Sequence, residues 1–288
     1  MSYPVVGEVP WLVAQDNQLF GHPPTSPGEA APPSLARRLA SLGPSASINV
    51  GSSERYARFA QLVEQRASSG RRPLVLVVGG GIAGQGMEPL LRADVELVET
   101  DVYVGPRTAV VCDAHSLPFA DDTFDGVVCQ AVLEHVLDPW RVASEIQRVL
   151  RPEGLVYAET PFMQQVHEGA YDFTRFTHLG HRRLFRWFDE IESGAVAGPA
   201  TSLLWSVRYF AMSLAGSSRV VRVLLDRLVT TCMFWIKYLD KRLVNTPGGL
   251  DAASATHFLG ALRTSPVPDD EILDGYRGAM RKRVRRSG

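Results

Sequence analysis

Cysteine is scarce in this chain. Of 288 residues only three are cysteine, Cys112, Cys129 and Cys232, and no two of them form a C-x-x-C pair. That spacing speaks against a zinc ribbon and against a disulfide framework, so no metal is expected, and a reducing, cytoplasmic setting is. An excess of one charge is missing as well. Lys and Arg number 30 against 31 Asp and Glu, a formal net charge of −1, which gives no global pull toward nucleic acid. Long apolar runs are also lacking. The stretch from Leu228 to Ile236 is uncharged, but it is far shorter than the roughly 20 residues that span a bilayer. Met1 to Pro10 has neither a basic start nor an extended apolar segment, so no secretory signal is expected.

What the chain does have is concentrated between Leu74 and Leu155. Leu74 to Val78 is an unbroken apolar, β-branched run, the pattern of a strand buried on both faces of a parallel sheet. It runs into Gly79-Gly80-Gly81-Ile82-Ala83-Gly84, in which Gly79, Gly81 and Gly84 fit G-x-G-x-x-G. Such a turn lets backbone N–H groups approach a ligand closely. A second apolar strand, Val95 to Val98, leads to Glu99-Thr100-Asp101. An acid about 20 residues beyond a glycine turn is where dinucleotide folds hold a ribose. Glu99 and Asp101 both qualify, and on a strand their side chains share a face. The glycines alone fit a flavin or nicotinamide enzyme as readily as an adenosyl-binding one.

The downstream segments narrow that choice. A third short strand, Thr108 to Cys112, stops at Asp113, beside Ala114. A carboxylate at that rim can accept a hydrogen bond from an exocyclic amine. Then follow Leu117-Pro118-Phe119, Phe124-Asp125 opening a strand that ends at Gln130, Leu133-Glu134-His135-Val136, an amphipathic helix from Trp140 to Leu150, and Arg151-Pro152-Glu153-Gly154 before a fifth strand. In this order and spacing the chain resembles the class I S-adenosylmethionine-dependent methyltransferases of the small-molecule type. The resemblance is close over about 74 to 161 and looser to 264.

The resemblance implies an α/β fold: a Rossmann-like, seven-stranded, mostly parallel sheet with helices on both faces. It implies S-adenosylmethionine as cofactor. Gly79, Gly80 and Gly81 would hold the methionine end, Glu99 or Asp101 the ribose, Asp113 with Ala114 the adenine, and Gln130 would lie beside the methyl group. The chain departs from the family pattern at Val77, where an acid is usual, and at Ala83, where a further glycine is. Glu134 or Glu159 could supply the missing acid. A non-catalytic adenosyl-binding scaffold stays open on that departure.

Four segments follow. Residues 1–50 form a proline-rich extension with a small hairpin within Tyr3 to Val13. Residues 51–199 form the cofactor-binding core, opened by a helix from Ser52 to Ala67. Residues 200–250 form an all-helical insert before the last strand, and 251–288 hold that strand and a basic tail, Arg281 to Arg286. The insert suits a lid, a homodimer surface or a peripheral membrane contact through 200–243.

Loops after strand ends carry chemistry, and the one after the fifth strand is dense in titratable groups. His167 is the candidate general base, since a near-neutral pKa suits removal of a hydroxyl proton. Glu168, Tyr171 and Asp172 are the candidate orienting residues. His135 reads as a brace, and His178 and His181 as structural. The expected acceptor is a small molecule or a glycan, methylated on oxygen.

Overall fold

The computed structural model describes residues 3–14, 17, 20, 45–67 and 70–280. The prolines from Pro23 to Pro44 and the basic run from Arg281 to Arg286 lie outside the described residues. Strands β3 (Leu74–Val78), β4 (Glu96–Asp101), β5 (Val110–Val111), β6 (Phe124–Gln130), β7 (Leu150–Pro161), β8 (Phe188–Ala197) and β9 (Ala255–Leu262) form one seven-stranded sheet. Their order is β5-β4-β3-β6-β7-β9-β8. Pairs from β5 to β7 are parallel, and β9 runs antiparallel between β7 and β8. The order reverses between β3 and β6, so the carboxyl ends of these neighbours flank a crevice. Open α/β sheets bind ligands at such a switch point.

Both faces are covered. Helix α1 (Ser52–Arg66) buries Tyr56, Phe59, Ala60 and Val63 against Val75, Val77, Val128 and Tyr157. Short α2 (Glu88–Arg92) joins that layer through Leu90. On the opposite face α3 (Pro139–Val149) buries Val142, Ile146 and Val149, and α4 (His178–Leu184) adds Leu184. The period-3.6 apolar stripe of α3 makes this possible, and Asp138 caps the helix by accepting from Arg141 N–H at 3.1 Å.

The residues that gave the family resemblance are partly structural. Asp125 accepts from the Leu74 N–H at 2.7 Å and pairs with Arg71 and Arg151, which fastens the start of β3 far from the crevice. Arg148 donates to the carbonyls of Leu117 and Phe119 at 2.9 and 2.8 Å, so it holds the Leu-Pro-Phe turn in place.

At the N-terminus β1 (Val5–Val6) and β2 (Val9–Pro10) pair antiparallel. The chain then runs along the sheet edge, where Trp11 bridges Val111 and the Leu12 N–H donates to the Val111 carbonyl at 2.8 Å. An otherwise bare edge is covered, and Asn17 and Phe20 are carried to the crevice.

The helical insert follows β8. It contains α5 (Pro199–Ser213), α6 (Arg219–Met233), α7 (Asp240–Leu243) and α8 (Pro247–Asp251). Asp240 is fully buried and accepts from the N–H groups of Gly198, Ala200 and Thr201 at 3.1, 2.9 and 2.9 Å. A carboxylate there meets the positive end of α5 and satisfies its unpaired donors. Helix α5 in turn touches the loop after β7: Tyr209 OH donates to the Val166 carbonyl, and Gln165 donates to Ser206 Oγ at 3.2 Å. Helix α6 leaves Val220, Val223, Leu224 and Leu228 exposed. Among the described residues no helix is long and apolar enough to cross a membrane.

A short last helix, α9 (Asp269–Asp274), packs against α4. Near it the fold buries neutral histidines. His181 lies among Phe176, Phe185 and Phe258, with Nδ1 3.2 Å from Thr256 Oγ1. Burial, then the neighbouring His178 and His257, hold its pKa down at about 3. Burial and Arg277 hold His178 at about 4. An unfolded chain protonates both near the ordinary value of about 6.5. Below that pH the unfolded state binds protons that the folded state refuses, so stability falls as pH drops from about 6.5 toward about 3, by up to about 1.4 kcal/mol per pH unit for each histidine. Urea melts of His181→Gln across this range are expected to show a shallower loss than wild type, and parallel slopes would refute this account.

Candidate functional site

A cavity of about 520 Å³ opens at the switch point. Its walls come from strand ends that the topology brings together: Val78 and Gly79 at the end of β3, Thr100 to Tyr103 at the end of β4, Cys112 to His115 after β5, and Ala131 and Val132 after β6. Phe20, with its ring near that of Tyr171, closes one side, and His135, His167, Glu168 and Tyr171 complete the lining.

The glycine turn is shaped by contact. Gly79 has φ +71°, a left-handed conformation, and an added Cβ would collide with Val132. A Cβ on Gly81 would lie 2.7 Å from Asp101 Oδ2, the same oxygen that accepts from the Gly81 N–H at 3.0 Å. Asp101 Oδ1 accepts from the Val102 N–H at 2.7 Å. Burial raises the Asp101 pKa, partly offset by these backbone donors. The carboxylate is thereby fixed in direction with lone pairs to spare.

Glu99 is placed differently. It is buried outside the cavity wall and its Oε1 accepts from Arg107 Nε at 2.7 Å. Asp113 does line the cavity. Burial pushes its pKa up, but the side chain and N–H of His115, at 2.6 and 2.9 Å, and Asn17 Nδ2, at 2.6 Å, outweigh that and leave it below the usual range.

Gln130 turns away from the cavity. Its Nε2 donates to Glu159 Oε2 at 2.7 Å, and its Oε1 accepts from Tyr56 OH at 3.1 Å. Glu159 also accepts from Ser52 Oγ at 2.6 Å and Tyr157 OH at 2.5 Å, so it is a buried node tying α1 to β7. Val77 packs into the α1 layer, and Glu159 reaches the Gly84 end of the turn only by way of Gln130, which abuts Gly84. Of the sequence candidates, Gly79, Asp101, Asp113, Ala114, His167, Glu168 and Tyr171 line the cavity, while Gly80, Gly81, Glu99, Gln130 and Asp172 lie behind its surface.

His135 and His167 of this lining meet Glu134 just behind the cavity surface. Glu134 is 1% exposed, and neither carboxylate oxygen has a hydrogen-bond partner among the described residues. Burial pushes its pKa up to about 8. His135 Nε2 is 3.6 Å and His167 Nε2 is 3.8 Å from Glu134 Oε1, and the two imidazoles meet edge to face with centroids 4.9 Å apart. The Glu134 carbonyl accepts from the Phe173 N–H at 2.8 Å, which binds the loop after β7 to this turn. Asp172 supports from behind: it accepts from the His167 N–H at 2.9 Å and forms a two-point pair with Arg175. Arg175, then the His167 N–H, hold the Asp172 pKa at about 2 despite burial. Burial lowers the His167 pKa, and His135 adds to this. The Leu-Glu-His segment was a signal for this cluster, but nothing in the sequence tied it to His167.

A model of the methyltransferase domain family matches residues 78–158, from the end of β3 into β7. Residues 78–158 belong to that family. The match settles the glycine turn on the methyltransferase reading rather than the oxidoreductase one, and the cofactor of this domain is S-adenosylmethionine. An uncharacterized methyltransferase of Mycobacterium sp. strain JLS is 40% identical over 93 residues, covering 28% of this chain and 36% of that protein. The chain thus spans about a third of the length of that relative. A ubiquinone biosynthesis O-methyltransferase of Pectobacterium atrosepticum is 27% identical over 163 residues, 44% of this chain and 65% of the relative. Among solved structures, phosphoethanolamine N-methyltransferase 2 of Haemonchus contortus with S-adenosyl-L-methionine aligns at TM-score 0.45 and 17% identity, covering 72% of this chain and 52% of that one.

Proposed function

We propose that this chain transfers the methyl group of S-adenosylmethionine to an oxygen of a small-molecule or glycan-like acceptor. One observation carries the reading. A single cavity is lined both by Asp101 and Asp113, at the ends of β4 and β5, and by His135 and His167, with Glu134 buried just behind the two histidines. Asp101 suits the ribose hydroxyls and Asp113 the adenine amine, because both carboxylates line the cavity at strand ends and can accept from such donors. The turn at Gly79 passes the methionine end. The sulfonium methyl then lies between Gly79 and the cluster of Glu134, His135 and His167.

Methyl transfer is an in-line displacement. The acceptor oxygen's electron pair forms the new C–O bond, the C–S bond breaks toward sulfur, and S-adenosylhomocysteine leaves. The hydroxyl proton must go as the bond forms, and the cluster is the polar group placed to promote its loss. Glu168 and Tyr171, on the same wall, orient the acceptor. The name of the Pectobacterium relative supports oxygen as the methylated atom.

The test has two parts. Calorimetry is expected to show S-adenosylhomocysteine binding to the purified chain. Methyl-labelled cofactor is then offered with a panel of phenols, catechols, sugars and amines, with label expected on the hydroxyl compounds. Absence of S-adenosylhomocysteine binding would overturn the cofactor site, and label on amines alone would overturn the oxygen assignment.

A further inference from the structure

Glu134, His135 and His167 each turn one ligand atom toward a common point, and these atoms all lie within 4.8 Å of one another. The tautomers follow from the hydrogen bonds. His135 Nδ1 is 2.7 Å from the Tyr171 carbonyl, which can only accept, so Nδ1 carries the proton and Nε2 is a bare lone pair. His167 Nδ1 lies 3.4 Å from both the Gln165 carbonyl and Asp172 Oδ2, so its Nε2 is bare as well. Both Nε2 atoms lie near Glu134, whose two buried carboxyl oxygens have no hydrogen-bond partner among the described residues. Arg175, the nearby cation, is held by Asp172 and the carbonyls of Gln164, Gln165 and Thr174. Two imidazole nitrogens and a buried carboxyl group without a hydrogen-bond partner therefore converge with no cation between them.

We infer that Glu134, His135 and His167 form a divalent-cation site that binds the acceptor's oxygen. Two imidazoles and one carboxylate suit zinc, manganese, cobalt or iron(II) rather than magnesium or calcium. Bonds of about 2.1 Å need ligand atoms about 3.0–3.5 Å apart, so the 3.6 and 3.8 Å to Glu134 close by a few tenths of an ångström on binding, and the two histidine nitrogens, within 4.8 Å of each other, come together as the His167 loop moves in. The outer partners fit too. A carboxylate or carbonyl on the far nitrogen of each histidine fixes the ring and raises its basicity, and Asp172, Gln165 and Tyr171 stand there. The site departs from the metal-free expectation drawn from sequence, because its members lie on two segments that only the fold joins. It rests on the methyltransferase reading, in which the cation faces the methyl group. A coordinated hydroxyl loses its proton to solvent more readily, which makes His167 a ligand rather than the base.

The test uses untagged full-length protein stripped with a chelator and titrated with cobalt(II), followed by visible absorption and elemental analysis, with and without S-adenosylhomocysteine. Wild type is expected to bind one equivalent. His135→Ala, His167→Ala and Glu134→Gln are expected to lose more than about 100-fold in cobalt affinity, and Asp172→Asn about 10–100-fold. His167 is on a loop with its side chain partly exposed, at 22%, so its variant reports even where Glu134→Gln folds poorly, and circular dichroism checks each. Wild type that binds S-adenosylhomocysteine but no cobalt overturns the metal site and leaves the methyltransferase reading standing. Cobalt binding that survives all three substitutions also overturns it. Wild type that binds no S-adenosylhomocysteine overturns the methyltransferase reading itself.

Discussion

His167→Ala is expected to lower methyl transfer about 10²–10⁴-fold, the range for losing a positioned group that moves a proton, while S-adenosylhomocysteine affinity stays within a few-fold of wild type. The separation of the two effects follows from position. His167 makes its contacts to Asp172, Gln165 and Glu134 and none to Asp101 or Asp113 among the described residues. Its loss removes no group from the adenosyl side. Single-turnover rates and calorimetry on the same preparation measure both quantities. The manner of rescue distinguishes a ligand from a base. Added imidazole restoring the variant without metal would favour proton abstraction by His167 itself, whereas rescue that requires a divalent cation together with imidazole favours coordination. Normal turnover on the true acceptor would remove His167 from the chemistry altogether.

The sheet was legible because its strands carry their own signal. Leu74–Val78 and Phe124–Gln130 are apolar runs closed by glycine or polar residues, and the order of strand, glycine turn, strand and acid admits few topologies. The fifth strand was read short. Arg151-Pro152-Glu153-Gly154 has turn chemistry, yet Leu150 pairs with Phe124, and β7 runs through a register shift there from Leu150 to Pro161. The four residues keep their turn character, with Glu153 at φ +62°, and continuous pairing with β6 resumes at Leu155. The adenosyl half of the site could be read from acids at strand ends, because alternation along a strand and position at its carboxyl end are properties of the sequence. The choice between Glu99 and Asp101 could not, since it depends on Arg107 drawing one of them away. Nor could Asn17 and Phe20 be found, because they reach the cavity by way of the Trp11 bridge to the sheet edge. The cluster of Glu134, His135 and His167 depends on a loop folding back until His167 meets Glu134, and no periodicity encodes that approach.

Asp101→Ala is expected to weaken S-adenosylhomocysteine binding about 10–100-fold, against a small effect for Glu99→Gln. The scale is that of a hydrogen bond to a charged group, about 1–3 kcal/mol. Asp101 faces the cavity with both oxygens held by the Gly81 and Val102 N–H groups, so it meets ribose hydroxyls without reorganising. Its removal also leaves the Gly81 N–H without its acceptor and loosens the turn that passes the methionine end. Asp101→Asn keeps one acceptor oxygen and is expected to fall between wild type and alanine. Glu99 is spent on Arg107 outside the cavity wall, so its amide variant costs an ion pair that is partly open to solvent rather than a ligand contact. Calorimetry on the three variants gives an ordering, which is more telling than one loss. Should Glu99→Gln prove the more damaging, the ribose belongs on Glu99, Arg107 must swing aside when the cofactor enters, and the cavity described by Asp101 is the wrong half of the rim.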